Sequence, residues 1–533
     1  MGDDGSAPTA RANLADADAP TSRRVHARIE VPQRAFLEFP SVAAWLKKHA
    51  ANVTDPLRAS AHDLTAYLPV RFTIDLDKRA LAGSIGEAAA EGYVGFNMYF
   101  AERASWMVVM DYAGRLHQVA PAKSFDGQGA QHFCAFKLYD EDTFLLAQES
   151  NYSGSGRQYK WNWRTDEYTL IGGDHIRSAH DIQWSATHSD CYWVPEGNWA
   201  CSKNVLLVNA SDGETVRTLE TIGGSDCDVN HAQLINDDTD AIVSLRLCDG
   251  IAKYAVDPAG NRTQRPAATW IVGGPYGQFP IVDFDGFVWP PNTTVWSWQH
   301  NAEYIGEDEY IMLDNGGLGN NSRLLVVAIN ETAQEARLRW QYKLDTYMEI
   351  YGDSDPVVSG NVLGAYWREG YGDASENDQA VSGLVEVARP GQDEAWHLRV
   401  YDRACPNDWC GNNIYSGWHF YSAERFYERP LFPSAGYRGA PTCTGGADGA
   451  LSFTVYNSFK QSHTAPGEYK LIEDGGGRLV ASGDLEFAAY WRPTWVESSA
   501  LSFGKHATFP VAVTLVVQND RGRAAKFSLN CTR

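Results

Sequence analysis

The sequence predicts an all-β protein: a six-bladed β-propeller with an N-terminal extension and a small C-terminal β-sandwich. The 533 residues include 18 Trp, 26 Tyr and 21 Phe, and turns rich in Gly, Asn and Asp separate short apolar runs. A histidine also recurs before a strand-like run, at His132, His180, His231 and His300, with separations of 48, 51 and 69 residues. Repeats of roughly 40–50 residues that contain several short strands are typical of propellers.

The N-terminal part divides into two predicted segments. Residues 1–24 are polar and acidic and are predicted to be a disordered leader. Residues 25–92 are predicted to form an extension that packs on the main domain. It contains strands near Arg28 and Arg71 and a short helix with Ser41 as N-cap.

Residues 93–404 are predicted to form the propeller, which is the catalytic domain. Its strands often end in turn sequences such as Asp257-Pro-Ala-Gly, which suit hairpins. Equivalent positions of the blades converge on the central axis, so histidines far apart in sequence would line one polar funnel. The predicted blades begin near Gly92, Gln131, Ala179, Val229, Ser297 and Tyr351.

The rhythm changes after the propeller. Residues 405–448 are rich in Gly, Pro, Asn and Tyr and are predicted to be a linker or cap. Residues 449–533 return to short alternating strands, which predict the β-sandwich.

Charge and hydropathy exclude several classes of partner. The formal net charge of −22 argues against nucleic-acid binding, which needs a basic face. An anionic substrate must therefore be attracted by a local positive site. No apolar run approaches the length of a membrane span, and no cofactor motif occurs.

Cysteines and glycosylation acceptors predict a protein that is secreted or resides in the lumen of the secretory pathway. Proximity in sequence suggests disulfide bonds and leaves Cys134 free. Eight asparagines head Asn-x-Ser/Thr triplets: Asn52, Asn151, Asn209, Asn261, Asn292, Asn320, Asn330 and Asn530. The suggested bridges are Cys191–Cys201, Cys227–Cys248, Cys405–Cys410 and Cys443–Cys531.

The histidines and Arg246 are the residues best suited to chemistry. A neutral imidazole is a competent nucleophile near neutral pH, because its unperturbed pKa is about 6.5. A guanidinium offers a planar fork of donors to an oxyanion. Trp184 and Trp298 are candidate walls for an aromatic substrate, although tryptophans more often pack between blades.

Four short motifs resemble the arylsulfotransferase (arylsulfate sulfotransferase) family in its eukaryotic-like branch. They are Ser178-Ala-His180-Asp181, Asp228-Val-Asn230-His231-Ala232, Ser244-Leu-Arg246 and Trp298-Gln299-His300-Asn301-Ala302, followed by Leu313-Asp314-Asn315-Gly316. The resemblance covers about residues 130–370.

The resemblance implies a six-bladed propeller that moves a sulfuryl group from an aryl sulfate to a phenol without a nucleotide donor or a cofactor. It implies that His300 forms a sulfohistidine, and that His180, His231 and Arg246 bind the sulfate and the transition state. Trp184, Trp298 and Asn301 are the candidate substrate-binding residues. The oligomeric state stays open.

Two other functions remain open at this point. Three imidazoles and Asp181 could hold a metal ion for hydrolysis or elimination. A glycosylated propeller could also bind a sulfated or aromatic ligand without turnover. Arg246 favours sulfate over a metal ion, because a cation beside the histidines repels another cation, and no metal is predicted.

Overall fold

The computed structural model describes most of the chain in fourteen segments. These are residues 27–52, 67–100, 104–123, 132–149, 155–197, 204–222, 226–257, 259–316, 321–367, 380–401, 418–446, 449–499, 501–503 and 507–533. The predicted leader over residues 1–24 lies outside them.

Strands dominate the described residues, and six of the sheets follow one another along the chain. We number these sheets 1 to 6 and give the strands of each in spatial order, without the short two-stranded sheet of Ser155–Gly156 and Arg177–Ser178. Sheet 1 contains Trp418–His419 and Ala423–Phe426, then Tyr93–Phe100, Ala104–Asp111 and Leu116–Pro121. Sheet 2 contains His132–Asp140, Thr143–Glu149, Gln158–Asn162 and Glu167–Ile171. Sheet 3 contains Gln183–Trp184, Cys191–Pro195, Asn204–Asn209, Thr215–Glu220 and Thr263–Gln264.

The next three sheets continue the pattern. Sheet 4 contains Val229–Ile235, Asp240–Leu245, Gly250–Ala255 and Ala268–Val272. Sheet 5 contains His300–Gly306, Glu309–Asp314, Arg323–Asn330, Glu335–Lys343, Ile281–Val282 and Val288–Trp289. Sheet 6 contains Asp353–Pro356, Val362–Trp367, Ala380–Val387, Glu394–Tyr401, Arg71–Leu76 and Ala27–Pro32.

The first strands of sheets 1 to 6 are connected to one another in a ring of hydrogen bonds. Each bond joins a polar group at the start of one first strand to its neighbour. The bonds are Ser422 Oγ to Cys134 O (2.8 Å), Ala135 N to Ala179 O (3.0 Å), Ala232 N to Asp181 Oδ2 (3.0 Å), Asn230 Nδ2 to Gln299 O (2.8 Å), Asn301 Nδ2 to Ser354 O (3.1 Å) and Ala423 N to Asp353 Oδ2 (3.3 Å). The all-β prediction is confirmed, and the sheets have a propeller-like arrangement.

Two segments outside the predicted propeller complete its sheets. Residues 418–426, predicted to belong to the linker or cap, pair with Tyr93–Phe100 and supply the first strand of sheet 1. That part of the linker prediction is wrong, because Gly, Pro and Tyr content does not reveal a partner strand more than 300 residues away. The predicted strands at Arg28 and Arg71 are confirmed, and they extend sheet 6 at Glu394–Tyr401.

Helices are short and lie mainly in the N-terminal extension. Among the described residues, the α-helices are Pro40–Asn52 and Lys78–Ala82, and 3₁₀ helices span Gln33–Glu38, Gly86–Glu91 and Arg246–Cys248. Ser41 is the second residue of its helix, not the cap, and its hydroxyl donates to Val119 O at 2.7 Å. Among the described residues, no helix has both the length and the apolar character to cross a membrane.

The C-terminal strands form two sheets that share one hydrophobic core. One contains Thr442–Cys443, Leu451–Val455 and Thr494–Ser498, and the other contains Leu479–Phe487, Ala465–Glu473, Val511–Asn519 and Ala524–Cys531. Alternate residues of Val511–Asn519 are buried, as expected for a sheet with one face on a core.

Two of the suggested disulfides are confirmed, Cys227–Cys248 and Cys443–Cys531. Cys134 is free and buried, as predicted. Cys191 is also free and buried among the described residues, and its predicted partner lies outside them. Cys201, Cys405 and Cys410 lie outside the described residues.

Candidate functional site

Aromatic rings from several first strands surround Tyr421 near the start of these strands. The ring of Tyr421 lies 5.8 Å from that of His300, 6.2 Å from that of His180 and 6.3 Å from that of His132. Tyr351 packs on the same ring at 5.2 Å. Residues separated by up to 289 positions are therefore neighbours, and we call these five residues the axial group.

Backbone irregularities orient the members of the axial group. A β-bulge follows His300, and another precedes His231, so the pairing register shifts at the start of both strands. Trp298, Asn301 and Tyr351 have φ values of 54°, 51° and 63°. Non-glycine residues in this left-handed region cost free energy, and such residues concentrate at functional sites.

The hydrogen bonds of His300 fix its tautomer. Its Nδ1 lies 2.7 Å from Asn315 Oδ1 and 3.1 Å from Trp298 O, and both of these oxygens are acceptors. The Asn315 amide is oriented by its own donation to Tyr351 O at 2.9 Å. Nδ1 therefore carries the proton, and the Nε2 lone pair accepts a long hydrogen bond, 3.3 Å, from Tyr351 N.

Electrostatics keep His300 neutral. Burial and the nearby Arg246 guanidinium hold its pKa well below the usual 6.5, despite the opposing hydrogen bond that His300 donates to Asn315. The result is an uncharged imidazole with its Nε2 lone pair available, which is the form that a nucleophile requires.

Arg246 is held in a short 3₁₀ turn directly after a strand of sheet 4. Its backbone N donates to Asp228 O at 3.0 Å, and the Cys227–Cys248 disulfide ties the two segments together. The side chain is only 16% exposed, yet its ion-pair contact with Asp228 Oδ2 spans 3.7 Å. Within the described part of the chain, the buried Nε of Arg246 has no hydrogen-bond partner. A buried donor without a partner is costly, so this guanidinium is suited to an oxyanion.

His180 shares the axial group but differs from His300 in its exposure. It is half-buried, and its Nδ1 lies 3.0 Å from Ser178 Oγ. Burial lowers its pKa, and Asp228 and Glu149 oppose that effect only in part. His180 is therefore neutral at pH 7 and is better suited to accept a proton than to start as an acid.

His231 does not join His180 and His300 around Tyr421. Its Nδ1 lies 3.0 Å from Asp181 Oδ2, and its Nε2 lies 3.5 Å from Glu303 Oε1. The three imidazoles predicted to act together thus lie in two places, with His180 and His300 around Tyr421 and His231 between Asp181 and Glu303. They do not form one metal site with Asp181. His231 borders a cavity of about 260 Å³, which Trp184 also lines.

A network of buried charges fills the floor of that cavity. Lys137 donates to Glu303 at 2.9 Å, and Lys460, from the C-terminal part of the chain, donates to the same carboxylate at 2.5 Å and to Asp355. Burial alone would raise the pKa of Glu303, but the two lysines outweigh it and hold the pKa below its usual value. These interactions connect sheets 2, 5 and 6 to the C-terminal part of the chain.

Asn301 is committed to the fold. Its Oδ1 accepts from Lys137 Nζ at 3.1 Å, and its Nδ2 donates to Ser354 O at 3.1 Å, which joins sheet 5 to sheet 6. Its side chain is therefore occupied on both polar atoms, which argues against the predicted substrate contact.

The two candidate tryptophans lie at different places. Trp298 is 36% exposed and lines a depression of about 650 Å³ with Asp249, Ser297, Gly316 and Tyr347. Its carbonyl contacts His300, so this depression is next to the neutral imidazole. Trp184 lines the same cavity as His231, and Lys160 covers its ring with Nζ 3.7 Å from the centroid.

The sequence did not point to Tyr421, Tyr351, Glu149 or the role of Asn315. Tyr421 lies in the segment assigned to a linker, and Tyr351 lies two residues before the first strand of sheet 6, at a predicted blade start without a histidine. The motif Leu313-Asp314-Asn315-Gly316 could have indicated a role for Asn315, because it is one of the motifs that resemble the family. The same residues also fit an ordinary turn.

Comparison with known proteins finds likeness only in strand arrangement. No protein-family model and no curated protein matches the chain. A candidate 6-phosphogluconolactonase from Bacteroides fragilis is 10% identical, with 59% of this chain and 97% of that chain covered at a TM-score of 0.36. The periplasmic gluconolactonase of Pseudomonas aeruginosa is 12% identical, with 66% and 85% covered at a TM-score of 0.32. The WD40 domain of Toxoplasma gondii coronin is 6% identical, with 60% and 80% covered at a TM-score of 0.30. At these scores the likeness carries no argument about activity.

Proposed function

We propose that this protein transfers a sulfuryl group from an aryl sulfate to a phenol through a sulfohistidine at His300, as an arylsulfate sulfotransferase-like enzyme. The observation that carries the proposal is the pairing of a neutral, tautomer-fixed imidazole with a guanidinium whose Nε lacks a partner among the described residues. An anion that fills the Arg246 fork would bring its central atom into the neighbourhood of the His300 ring.

The first half-reaction consumes the donor. The Nε2 lone pair of His300 attacks sulfur, an N–S bond forms, and the S–O bond to the aryl group breaks with its electrons on the phenolate. Attack at this atom replaces the long hydrogen bond from Tyr351 N. Sulfuryl transfer, like phosphoryl transfer, spreads charge over peripheral oxygens, so Arg246 stabilises the transition state mainly by electrostatics.

The second half-reaction loads the acceptor. The acceptor phenol gives its proton to neutral His180, its oxygen attacks sulfur, and the N–S bond breaks to restore His300. The protonated His180 then gives that proton to the phenolate released from the next donor. Over one cycle, a sulfuryl group moves from the donor to the acceptor, and a proton moves from the acceptor phenol to a donor phenolate.

The same proposal includes six blades and a secretory location. The closed ring of hydrogen bonds between the first strands supports six blades. The two disulfides and the eight glycosylation acceptors support an oxidising compartment.

The experiment uses a chromogenic aryl sulfate with and without a phenol. We expect acceptor-dependent release of the chromophore, and a sulfuryl mass on the His300 peptide when the donor is given alone. His300→Ala should abolish both signals, whereas His397→Ala, at a buried histidine of sheet 6, should keep them. Equal turnover in His300→Ala would disprove the nucleophile assignment.

Arg246 is tested by the same assay. Arg246→Met removes a charge-assisted hydrogen-bonding group worth about 1.5–3 kcal/mol, so inhibition by inorganic sulfate should weaken about 10- to 150-fold. Arg246→Lys keeps the positive charge but not the planar pair of donors. Its inhibition by inorganic sulfate should lie between that of the wild type and that of Arg246→Met. Unchanged inhibition in Arg246→Met would place the anion elsewhere.

A second candidate is a binding propeller without turnover. The observation in its favour is that His300 is only 2% exposed and that Tyr351 N already contacts its Nε2. Binding of an aryl sulfate, measured by calorimetry, without release of the chromophore under any acceptor would support this function.

A further inference from the structure

A second cluster of reactive side chains lies in sheet 2, beside the axial group. His132 and Glu149 face each other across the first two strands of the sheet. A β-bulge between Phe133 and Ala135 leaves Cys134 as the extra residue, and its thiol turns toward the same pair. His132, Cys134 and Glu149 are all at least nine-tenths buried.

The three donor atoms form a nearly equilateral triangle. His132 Nδ1 lies 3.2 Å from Glu149 Oε2, and Cys134 Sγ lies 3.6 Å from that nitrogen and 3.5 Å from that oxygen. A tetrahedral zinc ion, with bonds of about 2.0–2.1 Å to N and O and about 2.3 Å to S, separates its ligands by about 3.3 Å for N and O and about 3.6 Å for pairs with S. The triangle therefore has the edges of one face of a zinc tetrahedron.

The histidine presents a single polar edge to this cluster. Within the described residues, Nε2 of His132 has no hydrogen-bond partner, so Nδ1 makes the polar contacts of the ring. The ring is held in this orientation by Tyr99, which stacks on it with centroids 4.7 Å apart and planes at 11°. An imidazole nitrogen, a thiol and a carboxylate are thus preorganised around one point.

We propose that His132, Cys134 and Glu149 bind one zinc ion. A thiolate and an imidazole select Zn²⁺ over Mg²⁺ and Ca²⁺, which take oxygen ligands. Three protein ligands leave a fourth position, and the Tyr351 hydroxyl, which donates to the same Glu149 oxygen at 3.1 Å, borders the cluster. This site is separate from the three-imidazole metal site that the sequence suggested.

The site would couple metal binding to the axial group. Tyr351 contacts Glu149 through its hydroxyl and His300 through its backbone N. The zinc ion is not needed for the sulfuryl-transfer steps, so the two proposals can fail independently.

The experiment measures metal binding by the full-length, tag-free protein. Metal analysis of the purified protein should give about one zinc ion per chain, because the three ligands form one four-coordinate site. After chelation, addition of Zn²⁺ alone should restore that content, and Co²⁺ should give a thiolate-to-cobalt charge-transfer band in the near ultraviolet. Mg²⁺ at the same concentration should do neither.

Matched variants assign the ligands. Cys134→Ser and Glu149→Gln should each weaken zinc binding at least about 10-fold, since loss of mere outer-shell partners already costs about 10- to 100-fold. Cys191→Ser removes the other described free and buried thiol and should leave binding unchanged. If a variant fails to fold, the cobalt band of the wild type decides the question.

Three outcomes would overturn the proposal. They are a wild-type chain that takes up no zinc, a cobalt spectrum without the thiolate band, and equal loss of binding in Cys191→Ser. Zinc binding that survives unchanged in folded Cys134→Ser and Glu149→Gln would also refute it.

Discussion

The interaction between His300 and Asn315 gives the most direct test of how the site is built. Asn315→Leu keeps the approximate volume of the side chain and removes both of its polar atoms. It deletes the 2.7 Å bond from His300 Nδ1 and the 2.9 Å bond to Tyr351 O. The change therefore removes the shorter of the two contacts that hold the proton on Nδ1, with Trp298 O left at 3.1 Å, together with one support of the Tyr351 backbone.

The size of the effect follows from these two bonds. Two buried hydrogen bonds at about 1–1.5 kcal/mol each give a stability loss of about 2–3 kcal/mol. The bond to Nδ1 becomes charge-assisted when sulfurylation makes the ring cationic, so it is worth about 1–2 kcal/mol more in that state than in free enzyme. We therefore expect the first half-reaction to slow about 5- to 30-fold.

The assay is single-turnover release of the chromophore at saturating donor, together with denaturant unfolding. Asn361→Leu is the control, because Asn361 is equally buried and its Nδ2 bonds Ala80 O at 3.1 Å and Glu386 Oε1 at 2.9 Å, away from the axial group. The control should lose similar stability and keep its rate. A wild-type rate in folded Asn315→Leu, or an equal rate loss in the control, would refute the reasoning.

Two further predictions concern pH and the disulfides. Burial and the neighbouring guanidinium depress the pKa of His300, so the rate should stay constant from pH 7 down to below 6.5 and fall only at more acidic pH; an acid limb at or above 6.5 would contradict this. Because the pKa of His300 is lower in the folded state than in the unfolded state, the unfolded state takes up the proton first as the pH falls. The free energy of unfolding should therefore be highest above pH 6.5 and should decrease below it. Replacing Cys227 and Cys248 by serine opens a 21-residue separation and should cost about 3 kcal/mol of stability. Replacing Cys443 and Cys531 by serine opens an 88-residue separation and should cost about 4.5 kcal/mol of stability. Only loss of the Cys227–Cys248 bridge should lower the rate by more than the loss of stability explains, and equal rate losses at matched stability would contradict this.

Much of the fold follows from local sequence patterns. Strands at Arg28 and Arg71 and the starts of sheets 2, 4 and 5 near His132, Val229 and His300 agree with the sequence, because apolar alternation and turn residues act over a few positions. The pairing of residues 418–426 with Tyr93–Phe100 could not be predicted, since no local pattern identifies a partner strand so far along the chain.

The candidate site shows the same division. Placing His180 and His300 near one axis required only the repeat, and both do contact Tyr421. His231, predicted to join them, instead contacts Asp181 and Glu303. Side chains alternate along a strand with a period of two, and a bulge shifts the register just before His231, so the repeat alone does not fix the direction of this ring.

Local patterns in the sequence are enough to predict that the chain forms short strands, that histidines recur at the start of several of them, and that Arg246 is available as a cation. The folded chain then sets which of these groups meet. It brought Tyr421 and Tyr351 between the histidines, used Asn315 to place the proton on Nδ1 of His300, and left the Nε of Arg246 without a partner in the described residues. The physical reason is that strand formation depends on neighbouring residues, whereas the direction of a side chain depends on bulges and on hydrogen bonds from distant strands.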